Sequence, residues 1–192
     1  MNTNCVKRHW LITDKGDPAA LALVDGVSVG KAPHYSRQQP GTRSFTRNGQ
    51  NLVFITADAL ACWVTFRPTP GKAVRPDGRD VWECALFRNE GPHLSSALIR
   101  EAVALTCALW GTPPPGGIVT FVRPDKVDSG LPGYCYRRAG WRRKGASKDG
   151  KPMFRAPRIG VVPDWREWAW SGDRGGKLRR ALEQPLLLEA HP

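Results

Sequence analysis

The stretch from Asp80 to Gly145 limits the possible folds more than any other part of the chain. It opens on an apolar run, Val81-Trp82-Glu83-Cys84-Ala85-Leu86-Phe87, followed by a short loop, Arg88 to His93. The longest helical pattern comes next, Ser95 to Trp110. It puts Leu98, Ala102, Leu105 and Leu109 on one stripe with Ile99 and Val103 beside them, as a core-facing helix requires. A Pro/Gly break separates it from a second apolar run, Ile118 to Val122, and an aromatic-rich turn closes the stretch, Tyr134 to Trp141. The order is strand, loop, helix, strand, aromatic turn.

The loop carries chemistry. A strand that stops where a helix starts aims the first free N–H groups of that helix at whatever lies above the strand, and those groups with the helix dipole favour an anion, above all phosphate. Gly91 permits close backbone approach, Arg88 adds a planar cationic fork, and Ser95 or Ser96 suits a cap or a phosphate contact. The same residues also describe an ordinary strand–helix turn, so both readings stand. Within the strand, alternation places Trp82, Cys84 and Leu86 on one face and Val81, Glu83, Ala85 and Phe87 on the other. A carboxylate there, Glu83, is costly unless paired or functional.

A chain of 192 residues suffices for one domain, or one domain with an appendage. No apolar run approaches the ~20 residues that cross a membrane, and the first ten residues lack a signal-peptide core. With five scattered cysteines and no C-x-x-C pair, reduced thiols and a cytoplasmic location are expected, with no metal site. Cys62, Cys84 and Cys107 lie within apolar patterns and read as packing residues.

The net charge of +12 is uneven, with 14 Lys and Arg against 4 Asp and Glu from Arg137 to Arg180. Such a patch attracts polyanions. Trp141, Trp165, Trp168 and Trp170 are interleaved with it, and basic residues mixed with aromatics suit nucleic acid, where phosphates pair and bases stack. Arg142, Arg143, Lys144 and Lys148 are the candidate DNA contacts. A plain solvated basic face is the competing reading.

Elsewhere, residues 8–13 read as a strand, and Asp17-Pro18 caps a short helix through Val24. Val27 to Arg47 reads as a long loop holding His34, Tyr35, Ser36 and Arg37, which together suit one lip of a substrate site; histidine can accept the proton that an amine must lose. Asn51–Thr56 and Leu60–Phe66 form a hairpin, and Arg67–Asp80 is irregular. Trp141–Gly145 and Met153–Pro157 form another hairpin across the Asp-Gly turn at 149–150. Trp165–Trp170 is a short helix or a covering loop, and Lys177–Glu183 a last helix.

Two local patterns resemble a known family. Arg88-x-x-Gly91-x-His93 is similar to the Gln/Arg-x-x-Gly-x-Gly/Ala signature of the GNAT acyltransferases, and Tyr136-x-x-x-Gly140-Trp141 to their Tyr-x-x-x-Gly-Phe pattern. Pro92 and His93 depart from the first. Phe87-Arg88-Asn89-Glu90-Gly91, Thr120-Phe121-Val122 and Pro132-Gly133-Tyr134-Cys135-Tyr136, with His34-Tyr35-Ser36, also resemble the phage Mom group, a divergent GNAT-like branch that modifies DNA bases.

The resemblance implies an α+β fold of α/β type: a mixed, mostly antiparallel twisted sheet flanked by helices over residues 1–157, with a basic, Trp-rich extension over 158–192. It implies acetyl-CoA or another acyl-CoA as co-substrate, held by Phe87, Arg88, Asn89, Glu90, Gly91, His93, Ser95 and Ser96. Tyr136 would protonate the leaving thiolate, Glu83 would be a candidate general base, and His34 a candidate for substrate chemistry. The expected reaction is acyl transfer to an amine of a DNA base, in the host cytoplasm if the chain is phage-encoded. The alternatives are a GNAT enzyme acting on a small amine, a protein or tRNA, and a non-enzymatic nucleic-acid-binding protein on the same fold.

Overall fold

Strand β4, Trp82–Asn89, is central because it has no solvent face: Trp82, Cys84, Leu86 and also Glu83 and Arg88 are buried. A strand covered on both sides reads as a near-continuous apolar run. The computed structural model describes residues 8–33, 45–46, 49–69, 78, 80–127, 130–172 and 176–183. In them, the other strands are β1 Trp10–Thr13, β2 Gln50–Thr56, β3 Ala61–Arg67, β5 Ile118–Phe121, β6 Arg142–Ala146, β7 Pro152–Arg155 and β8 Ala169–Trp170. The helices are α1 Pro18–Val24, α2 Ser95–Trp110, α3 Tyr134–Arg138 and α4 Gly176–Glu183.

The eight strands form one sheet in the order β6-β7-β5-β4-β3-β2-β1-β8. The β4/β5 and β1/β8 pairs are parallel, and every other neighbouring pair is antiparallel. The class is therefore α+β with a mostly antiparallel sheet. No helix among the described residues is long and apolar enough to cross a membrane.

Each sheet face has its own core. On one, the α2 stripe of Leu98, Ile99, Ala102, Val103, Leu105 and Leu109 packs against Trp10, Phe54, Trp63 and Cys84. Emptying one such aliphatic position costs about 2–5 kcal/mol, several times what an exposed helix pair contributes. On the other face, Leu23 and Val24 of α1 pack against Val53, Val64 and Leu86. Helix α1 starts as its sequence predicts: Asp17 accepts from the amides of Ala19 and Ala20, and Pro18 fills the first turn.

Strand β4 departs from simple alternation. The register pairs Val64 with Leu86 and Thr65 with Cys84, so Ala85 has no partner on β3 and forms a bulge. After it, the faces exchange. Trp82, Cys84 and Phe87 share the α2 side, while Leu86 lies on the α1 side. This corrects the alternation expected for Leu86 and Phe87, since one extra residue inverts every later side chain.

The chain after β7 returns to the sheet. Trp168 is buried and its indole N–H donates to Glu101 of α2 at 2.8 Å, while β8 adds to β1. The sequence suggested a helix or loop over 165–170; a 3-10 turn at Trp165–Glu167 leads into β8.

Candidate active site

Strands β4 and β5 form a fork. They pair at Trp82–Ile118, Glu83–Val119 and Cys84–Thr120, and there the ladder ends. β4 runs on to Asn89 against β3, and β5 runs on to Phe121 against β7. The Ala85 bulge sits where they part. Beyond Cys84, the edge of β4 that faces β5 has no ladder partner, a place where an extended molecule can take strand-like hydrogen bonds.

Helix α3 covers the apex of the fork. Its approach depends on Gly133, which has φ +78° and whose Cβ position lies 2.3 Å from the Phe154 ring. A side chain there meets both a backbone conformation that favours glycine and an aromatic ring. Tyr136 is thereby buried, stacked on Phe154 at 6.3 Å and edge-on to Trp141 at 5.0 Å and Phe87 at 6.3 Å. Its hydroxyl lies 3.5 Å from the Cys84 thiol. Burial first, then the neighbouring Cys84 and Cys135 thiols, push the Tyr136 phenol well above its ordinary pKa, while burial pushes the Cys84 thiol up to about 12.

The open end of the fork lies beside the start of α2. Leu94 is its N-cap, with no side-chain cap bond, so neither serine caps it as the sequence suggested. Ser95 instead accepts from Asn89 Nδ2 at 2.9 Å, and Ser96 is buried. The first amides bonded back within the helix are those of Ala97 and Leu98, both to Leu94 O. The Ser95 and Ser96 amides precede them at the positive end of the dipole.

Several loop donors have other partners. The Gly91 amide donates to Asn89 Oδ1 at 3.1 Å, the Glu90 amide to Leu60 O at 2.8 Å, and Pro92 has none to give. Two acids flank the loop. Glu90 is paired with Lys31 and Arg88, and Asp58 stands 3.9 Å from His93 Nε2. The His93 ring is turned toward the β2–β3 turn and the start of β1, 4.7 Å from that of His9.

Arg88 overturns an expectation. Its side chain is 4% exposed and points to the α1 face, not to an anion. It donates to the carbonyls of Val24 at 3.3 Å and Ala32 at 3.2 Å and to Glu90 at 3.0 Å. With Lys31–Glu90 and a bond from Lys126 to Pro33 O, it ties the chain after α1 to the end of β4. An arginine so buried needs acceptors, and the carbonyls of an irregular segment supply them.

The remaining candidates divide clearly. Phe87 is half-buried against Trp63 and Tyr136. Glu83 is buried one residue from Cys84, its side chain on the face away from Tyr136. His34, Tyr35, Ser36 and Arg37 lie outside the described residues. Arg142, Arg143, Lys144 and Lys148 are exposed along β6 and its turn. From Tyr134 to Arg158 nine Lys and Arg face one acid, Asp149, which pairs with Lys151.

The tryptophans do not serve as a stacking surface. Trp141 and Trp168 are buried and Trp165 and Trp170 are half-buried, all packed against the α2-side core. The sequence pattern of base and aromatic is real, but the aromatic half of it belongs to the core.

Sequence reasoning missed the knot beside the loop. Glu101 accepts from His9 N at 2.8 Å and from Trp168 Nε1, and lies 2.7 Å from His9 Nδ1. It also passed over Thr120, whose hydroxyl donates to Cys84 O at 3.1 Å. A hydroxyl inside the apolar run Ile-Val-Thr-Phe was the available signal. Among the described residues, no group of three or more His, Cys, Asp or Glu is arranged to hold a metal ion. Comparison with family models, curated proteins and solved structures returns no match to this chain.

Proposed function

We propose that this chain is an acyl-coenzyme A-dependent N-acyltransferase of GNAT type that acts on an amine of a DNA base. The observation that carries the reading is the fork: two parallel strands that part at a bulge, with a phenol at the apex and an uncapped helix start at the open end. The mixed, mostly antiparallel sheet, with the loop of the first motif between β4 and α2, is consistent with the resemblance in the two motifs at the level of fold class. In this reading the thioester arm lies along the free edge of β4 past Ala85, and the Ser95 and Ser96 amides face the diphosphate. Tyr136 donates a proton to the departing thiolate. The nine cations around α3, β6 and β7 favour a polyanionic acceptor, and a base inside a duplex would have to be flipped out to reach the fork.

A second reading is supported by the loop itself. The Gly91 amide is committed to Asn89 Oδ1, Pro92 has no N–H, and Asp58 and Glu90 stand close by. These features favour a nucleic-acid-binding protein with no acyl donor.

Calorimetry with coenzyme A and acetyl-CoA separates the two, with Ser95→Asp as the probe. A carboxylate in the first turn suits the helix dipole but repels a diphosphate. About micromolar binding by the wild type, weakened at least ~10-fold in Ser95→Asp with the fold intact, is the expected result. An acyl mass increment on nucleosides from DNA incubated with acetyl-CoA would then establish the acceptor. No binding at low salt overturns the acyltransferase reading.

A further inference from the structure

The tryptophans sink into the core, but one aromatic stays outside. Among the described residues, Tyr134 is the one Phe, Trp or Tyr with an exposed side chain, at 52%. It opens α3, the helix that covers the fork apex, and its seat is fixed from below. Gly133 is packed on the Phe154 ring, the Tyr134 amide donates to Leu131 O at 3.0 Å, and the Arg137 amide donates to Gly133 O at 3.0 Å. Two residues along a helix turn the side chain by about 200°. Tyr136 is buried over the fork, so Tyr134 faces the opposite way, into water.

The surroundings of that ring are cationic. Arg137 and Arg138 lie three and four residues on, on the same side of the helix, and both are exposed. Arg100 of α2 donates to Arg138 O at 3.1 Å, which brings a third guanidinium to the end of α3. A turn closed by the Trp141 amide on Tyr136 O at 2.9 Å then leads into Arg142, Arg143 and Lys144 of β6. No acid lies on α3, and from Tyr134 to Arg158 the one acid is Asp149 in the β6–β7 turn. A flat ring held rigidly among exposed guanidinium groups fits a ligand that carries both flat faces and phosphates.

We propose that Tyr134 is a stacking platform for an unpaired base of a DNA strand whose phosphates lie against Arg100, Arg137 and Arg138. The inference rests on the nucleic-acid half of the reading above and not on the acyl donor. In a duplex the faces of each base are covered by its neighbours, so the ring can stack only on a base that has left the helix. The outer side of α3 carries the platform and the inner side roofs the fork. A base stacked on Tyr134 therefore holds the strand beside the fork and not inside it.

The test is fluorescence anisotropy of the full chain with three labelled probes: a thymidine single strand of about 12 nucleotides, an abasic strand of the same length, and a duplex of that length. Tyr134→Leu, Tyr134→Phe and a combined Arg137→Gln, Arg138→Gln variant are compared with wild type, each checked for folding by circular dichroism. Tyr134→Leu should weaken binding of the thymidine strand by at least ~5-fold. It should leave the abasic strand and the duplex within ~2-fold of wild type and the salt slope unchanged, because no cation is lost. Tyr134→Phe, which keeps the ring, should retain the wild-type affinity. The arginine variant should weaken all three probes and flatten the salt slope by up to about two phosphate contacts.

Unchanged binding of the thymidine strand by Tyr134→Leu overturns the proposal and leaves the nucleic-acid reading standing. An equal loss on the abasic strand or the duplex also overturns it, because the ring then supports the surface and touches no base. A loss in Tyr134→Phe as large as in Tyr134→Leu overturns it in favour of a hydroxyl contact. If the wild type binds none of the probes at low salt, the nucleic-acid reading falls and the platform falls with it.

Discussion

Strands β4 and β6 both carry arginine, and they use it in opposite ways. Arg88 in β4 is 4% exposed and gives its donors to two carbonyls and a carboxylate. Arg142 and Arg143 in β6 lie on a strand that is exposed at every residue, at the edge of the sheet. Among the described residues neither has a carboxylate partner. The motif points to Arg88 as the anion binder, whereas the structure makes it an internal tie, and the arginines left in water lie outside the motif. What decides is position in the sheet. A central strand dehydrates its side chains, so a guanidinium there must be matched by protein acceptors. An edge strand leaves its charges in water, where they also discourage pairing with another strand.

The contrast breaks first at Arg88. Arg88→Ala should lower stability by about 3 kcal/mol, because it removes a buried partner and leaves two carbonyls and Glu90 short of donors. Urea unfolding at neutral pH measures this, and a loss below about 1 kcal/mol would mean that the tie is dispensable. The opposite result is expected at the edge. A combined Arg142→Gln, Arg143→Gln and Lys144→Gln variant should unfold within about 0.5 kcal/mol of wild type. Its affinity for DNA should fall and its salt dependence flatten by up to about three phosphate contacts. An unchanged salt slope would remove β6 from the nucleic-acid surface.

The smallest effect concerns pH. Burial by itself would raise the Glu90 carboxyl, but the hydrogen bonds from Lys31 and Arg88 outweigh it and hold its pKa below the ordinary glutamate value. A carboxylate depressed in the folded state adds stability that is present above its unfolded pKa and is lost as pH falls through the folded one. Glu90→Gln should therefore destabilise by less than about 1 kcal/mol at neutral pH, given its partial exposure. It should also flatten the acid limb of the stability curve below about pH 4.5, the ordinary glutamate value. A parallel acid limb in the variant would assign that dependence to other carboxylates.

Much of the fold was legible in the sequence because it rests on periodicity. The α2 stripe, the Asp17 cap and both hairpins lie where apolar spacing and turn residues put them. Three features left no local trace. The Ala85 bulge is a difference in count between two strands, visible only when β3 and β4 are aligned in space. β8 is two residues long, too short for any period. The roles of Arg88 and the tryptophans depend on burial, and a tryptophan that stacks on a base has the same letter as one that fills a core. Tyr136 is singled out by its local spacing to Gly140 and Trp141, and α3 places it, buried, beside Cys84 of β4.

The pairing of Leu11 with Ala169 and Ile12 with Trp170 carries a consequence for how the chain acquires its structure. During synthesis β1 is the first described strand to leave the ribosome, and the strand that seals its outer edge is the last of the described strands. Until then β1 has an open edge, Glu101 lacks the Trp168 indole, and the sheet is incomplete at one side. Closing so long a loop is slow, and an open edge is where strands of different chains join. Folding should therefore be governed by the arrival of β8 rather than by the central strands, and the hazard of misassembly should be confined to the interval before it arrives.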